Sequence, residues 1–142
     1  MNFDLRDQIS RIIDEFSLNA EQTRAFTIIG LQLSGDHLTP LKMYLGGMGG
    51  TGKSQVIKAV TAFLKHRNEQ HRMELCAPTG AAASIIGGST YHSVLGFSRD
   101  DGGASVTKLS KVRGRLARVD IVFIDEVSML SCLALYKISE QM

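Results

Sequence analysis

The chain has 142 residues, of which 44% are hydrophobic and 21% charged. That balance excludes wholesale disorder and fits one domain of ordinary size, about 100–200 residues. The net charge of +2 does not by itself point to nucleic acid, but its distribution is uneven: residues 1–40 carry 3 basic and 6 acidic side chains, residues 41–142 carry 13 and 8.

Leu5, Ile9, Ile12, Ile13 and Phe16 recur at helical spacing, which predicts an amphipathic helix over 4–16. A second helix is expected to start at Asn19, a favoured N-cap, with Gln22 three residues on as a capping box. Phe26, Ile29 and Leu33 would be its buried stripe. Residues 34–40 are turn-rich and read as a loop. Leu41 to Leu45 reads as a short strand, followed by a helix from Lys53 to His66 with Val56, Ile57, Val60 and Leu64 inward. Met73 to Ala77 reads as a strand ended by Pro78, and 79–86 as a helix stopped by Gly87 and Gly88. Residues 98–105 read as a loop tip, and 107–118 as a helix with Leu109, Val112 and Leu116 inward. Val119 to Ile124 is almost continuously apolar, as expected of a strand buried on both faces of a parallel sheet. A further helix is expected from Ser128. Alternating strands and helices give an α/β fold with a mostly parallel sheet and flanking helices. Three strands make a small sheet, and the last helix is cut short, so a fragment of a longer protein is expected.

Two cysteines, Cys76 and Cys132, exclude a disulfide framework and the common Cys-based zinc patterns. Each has apolar neighbours and is expected as a buried, reduced thiol. No uncharged apolar run reaches the roughly 18 residues of a membrane span. The N-terminus lacks an apolar signal core and carries Asp4, Asp7, Asp14 and Glu15, unlike an acid-poor transit peptide. A soluble intracellular protein is expected.

Gly47-Met48-Gly49-Gly50-Thr51-Gly52-Lys53-Ser54 matches the phosphate-loop pattern G-x-x-x-x-G-K-[ST] in full. Its glycines let backbone N–H groups wrap phosphates without Cβ clashes, and the helix it opens presents unpaired N–H groups. Lys53 would reach the β- and γ-phosphates of ATP, and the Ser54 hydroxyl would bind Mg²⁺. Ile121 to Ile124 leads into Asp125 and Glu126. In phosphate-loop proteins an Asp at the carboxyl end of a central strand stands beside the metal. Asp125 would hold Mg²⁺ and Glu126 would orient or deprotonate the attacking water, which favours hydrolysis over transfer to a small acceptor. Without the phosphate loop, such a strand end is as readily a solvated one.

The segments LNAEQ (18–22), LGGMGGTGKS (45–54), CAPTGAAA (76–83), GGSTYHSVLG (87–96) and VDIVFIDEVSML (119–130) together resemble the first motor domain of the PIF-type (petite integration frequency) DNA helicases of superfamily one. Helitron-like helicases are included. The resemblance implies a P-loop NTPase, with 1–40 as an N-terminal helical segment and 41–142 as a partial RecA-like ATPase domain. It implies adenine contact by Gln22, whose local role is otherwise the capping box. It implies single-stranded DNA contacts by Pro78, Thr79 and Gly80 and by Thr90, His92 and Ser93. Thr79 reads equally as an N-cap, and His92 as a core histidine. Lys108, Lys111, Arg113, Arg115 and Arg118 form a basic run, read in preference as a solvated helix face.

The resemblance further implies ATP-driven 5′-to-3′ unwinding in the full-length relative, in repair, recombination or telomere maintenance, in nucleus or mitochondrion. The second motor domain would be missing here. The alternatives are a truncated nucleotide- and DNA-binding module without turnover, and a small-molecule kinase, against which Asp125-Glu126 argues.

Overall fold

A computed structural model describes residues 3–35, 39–46, 52–96, 106–132 and 136. They fall into two compact units, Met1–Gln70 and His71–Met142.

The first unit is built from three helices: α1 (Phe3–Glu15), α2 (Ala20–Ser34) and α3 (Lys53–His66). Their apolar stripes supply its core: Ile9 and Ile12 from α1, Phe26, Ile29 and Leu33 from α2, Val56, Val60, Phe63 and Leu64 from α3. The Phe26 and Phe63 rings meet edge to face, 5.9 Å between centroids, an arrangement that adds about 0.5–1.5 kcal/mol beyond burial. Gln55 Nε2 donates to the Phe16 carbonyl at 3.2 Å, tying the first turn of α3 to the end of α1. Past the end of α3, Arg67 lies over the Phe63 ring and pairs with Glu69 at 3.1 Å.

The strand expected over Leu41–Leu45 is not formed: residues 40–46 have no regular secondary structure. Leu41, Met43 and Tyr44 are exposed, Tyr44 at 77%. The segment has the residue types of a strand, but a strand exists only through a paired neighbour, and no described residues pair with it.

The second unit contains β1 (Met73–Ala77), α4 (Gly80–Ile86), β2 (Ser89–Thr90), α5 (Tyr91–Leu95), α6 (Val106–Leu116) and β3 (Ile121–Ile124). The strands form a parallel sheet in the order β2-β1-β3. In register, Ala77 stands beside Thr90, and Cys76 beside Ile124. The sheet is thus α/β as expected, but its strands are not all the expected ones: β2 replaces 41–45. Gly88 brings β2 in, because a Cβ there would run into the Leu75 carbonyl. Cys76, Val94, Leu95 and Leu130 form the core, with Tyr91, Leu116, Val122 and Ile124 packed against it.

Several expectations are corrected here. β3 is half-buried along its whole length, not buried on both faces. It lies at the sheet's edge, and Val122 and Ile124 are the residues that reach the core cluster. After Glu126 comes a 3₁₀ turn, Val127–Met129, so the helix expected from Ser128 starts later: Cys132 and Tyr136 are helical. Cys76 is buried, but Cys132 is exposed: Leu130 enters the core, and the chain beyond it, Ser131 and Cys132, does not. The loop tip 98–105 and the Leu109 side chain lie outside the described residues.

Two ion pairs brace the sheet. Arg72 pairs with Asp120 where β1 and β3 begin, and Arg115 of α6 reaches Glu74 at 2.8 Å and Ser89 Oγ at 3.3 Å. No described helix is long and apolar enough to cross a membrane.

Candidate active site

In the first unit the site begins at Gly52. Gly47, Gly49, Gly50 and Thr51 lie outside the described residues. Gly52 has φ +85, the left-handed region that a side chain disfavours, and it caps α3 without a side-chain bond. Lys53 and Ser54 are the first two residues of α3; Lys53 is half-buried and Ser54 exposed. The Gly52 carbonyl accepts two hydrogen bonds, from the Gln55 N–H at 3.0 Å and from Gln22 Nε2 at 3.0 Å.

Gln22 also completes the capping box foreseen at the start of α2. Its backbone N–H donates to Asn19 Oδ1, and its Oε1 accepts from the Asn19 N–H, both at 2.9 Å. A primary amide offers two donors and two acceptor positions. Cap and Gly52 use one of each, so one donor and one acceptor remain for an adenine edge. The cap and the adenine contact are therefore compatible. The link from Gln22 to Gly52, thirty residues away, was not legible from spacing.

In the second unit the parallel ladder continues one step past β3: the Asp125 N–H donates to the Cys76 carbonyl at 2.8 Å. This bond fixes Asp125 at the carboxyl end of the sheet, the edge where open α/β sheets bind ligands. Asp125 Oδ1 accepts from the Glu126 N–H at 3.0 Å. Glu126 is exposed, with φ +53 and ψ +42. A left-handed backbone at a non-glycine residue costs on the order of 1 kcal/mol and is concentrated at functional sites. Ser54 in the first unit offers a hydroxyl and Asp125 in the second a carboxylate, each by itself a hard oxygen donor of the kind Mg²⁺ takes. Among the described residues no three His, Cys, Asp or Glu side chains cluster as a metal site of their own.

The expected DNA-contact residues gather at the ends of β1 and β2. Pro78 and Thr79 follow β1, and Gly80 opens α4. Thr90 ends β2 and caps α5, which holds His92 and Ser93. Thr79 Oγ1 accepts from the Ala82 N–H at 3.2 Å and Thr90 Oγ1 from the Ser93 N–H at 3.3 Å. Both threonines are therefore N-caps, and only the first was foreseen as one. A capping hydroxyl uses an acceptor position and keeps its own O–H to donate. His92 is half-buried and stacks on the Tyr91 ring, 4.1 Å between centroids.

Lys111, Arg113 and Arg118 are exposed, as the reading of a solvated face expected. Arg115 departs from it by pairing with Glu74. Burial, reinforced by the Glu74 carboxylate and opposed by Arg115, pushes the Cys76 thiol up to about 12, so it is inert here.

A glycine-started helix opening on Lys-Ser, in a chain whose parallel sheet carries Asp-Glu at a strand's carboxyl end, defines a P-loop NTPase. The AAA domain family matches residues 35–142, and the chain belongs to that family. Its similarity to PIF-type helicases runs over most of its length. It is 39% identical over 122 residues to the ATP-dependent DNA helicase PIF1 of Trypanosoma brucei brucei, covering 84% of this chain and 11% of that protein. It is 34% identical over 123 residues to the ATP-dependent DNA helicase Pif1 of Bdellovibrio bacteriovorus, covering 83% and 25%. With the trypanosome PIF4 helicase the figures are 33% over 120 residues, 80% and 13%. The chain thus spans a quarter or less of the length of these relatives. No solved structure matches it.

Proposed function

We propose that the chain is an ATP-binding segment of a 5′-to-3′ DNA helicase whose ATP hydrolysis drives unwinding. One observation carries this reading: a complete phosphate-loop sequence enters α3 at Gly52-Lys53-Ser54 in a chain 33–39% identical to helicases named PIF. Lys53 would neutralise charge on the β- and γ-phosphates, and Gln22 would face the adenine. Ser54 and Asp125 would hold Mg²⁺, which when bound neutralises phosphate charge. Glu126 would take the proton of the attacking water. Thr79 and Thr90 would donate their hydroxyl protons to phosphate oxygens of single-stranded DNA, aided by the neighbouring Pro78, Gly80, His92 and Ser93. Such contacts follow the backbone and carry no base sequence. A DNA substrate would place the protein in a DNA-holding compartment, nucleus or mitochondrion.

The test is a Mg-ATP titration, with and without a single-stranded oligonucleotide, on the chain and on Lys53→Ala. Saturable binding that is lost in the variant is expected. In a full-length protein, Glu126→Gln should retain binding and lose hydrolysis. Binding without any turnover by the unsubstituted chain would favour a module over an enzyme, and phosphorylation of a small acceptor would favour a kinase.

A further inference from the structure

We propose that Gln22 is a positioning residue for the triphosphate, acting through Gly52, in addition to any contact with the base. This rests on the nucleotide-binding reading above. The peptide joining Gly52 to Lys53 is planar and trans, so its carbonyl and its N–H point in opposite directions. Gln22 Nε2 holds that carbonyl at 3.0 Å. It thereby turns the Lys53 N–H to the opposite side, and backbone N–H groups of this loop are what cradle phosphates. The Gln55 N–H holds the same carbonyl at 3.0 Å from within α3, so Gln22 is the second of two bonds on this peptide and the one that comes from another helix.

The strut is itself held in place. The reciprocal cap with Asn19 at 2.9 Å fixes the Gln22 carbonyl toward the Asn19 N–H, so the amide NH₂ must face Gly52. The fit is tight on the other side as well: a Cβ on Gly52 would run into Gln22 Nε2. Position 52 therefore needs glycine for its φ of +85 and for the approach of Gln22.

A base-reading residue and a phosphate-positioning residue differ in what they do to a ligand without a base. Binding of ATP, GTP and inorganic tripolyphosphate, each with Mg²⁺, would be measured on the chain, Gln22→Met, Gln22→Asn and Asn19→Ala, with melting temperatures alongside. Losing the strut's hydrogen bond should weaken all three ligands by a similar factor, about three to ten, in Gln22→Met. Gln22→Asn keeps an amide but is one methylene short of Gly52, and it should show the same uniform loss. Asn19→Ala loses only the side-chain half of the cap and keeps the backbone N–H that orients Gln22 Oε1, so it weakens the helix start, leaves Gln22 on Gly52 and should keep tripolyphosphate affinity at the wild-type value. ATP weakened alone, with GTP and tripolyphosphate untouched in both Gln22 variants, would overturn the proposal. Equal loss of tripolyphosphate in Asn19→Ala would overturn it too, since helix fraying would then suffice. An unsubstituted chain that binds none of the three ligands would sink the nucleotide reading and the strut with it.

Discussion

Gly88 and Leu75 leave no room between them for a methyl group. Gly88→Ala must therefore part β2 from β1 or shift the Leu75 backbone, a strain of the overpacking kind that costs about 1–3 kcal/mol. Urea denaturation should show that loss in the midpoint. The two thiols make a second prediction. Cys132 should react with an alkylating reagent at pH 8 in the folded chain, and Cys76 only after unfolding. The folded Cys76 thiol stays protonated up to about 12, whereas the unfolded one ionises near 9.0. Between those values the unfolded state holds fewer protons, so this group lowers stability as pH rises through that window. A Cys76→Ser change should flatten that part of a stability–pH curve. Sequence gave no warning that the cysteines would differ, because both have apolar neighbours and only tertiary position separates them.

Among the elements, those with a period or a cap could be read in advance. The stripes of α1, α2 and α3 and the caps at Asn19 and Thr79 are local, and they fold as local rules dictate. β2 has two residues and α5 five, too few for any periodicity to show. The segment 41–45 has the opposite fault: a strand's composition without a ladder. The candidate site divides along the same line. Lys53, Ser54, Asp125 and Glu126 were legible as motif positions, but the left-handed Glu126 and the Gln22–Gly52 bond depend on backbone geometry and long-range contact. The paired caps are testable as elements. Thr79→Ala and Thr90→Ala should each cost about 1 kcal/mol of stability, while serine at either position should restore most of it. If the hydroxyls also hold DNA, serine should rescue oligonucleotide binding, which a fluorescence anisotropy titration would read.

For the molecule as a whole, charge and chain length set the limits. The face of α6 bearing Lys111 and Arg113 is exposed, and we read it as solvated. Removing either charge should therefore leave the salt dependence of oligonucleotide binding unchanged. A true phosphate contact would instead lower the slope of log K against log salt by about 0.7 per cation. Length matters most between β1 and β2. Their connection, Pro78 to Gly88, is eleven residues long, near the minimum for a crossover between parallel strands, about 10–12. It includes the Thr79 cap, the whole of α4 and the close approach of Gly88. Such a link has no slack. Any single-residue deletion within it must sacrifice a turn of helix, a cap or the strand pairing, whereas substitutions on its exposed face, such as at Ile85, meet no such limit. In a deletion library this stretch should stand out as a span that tolerates changes of spelling but not of length.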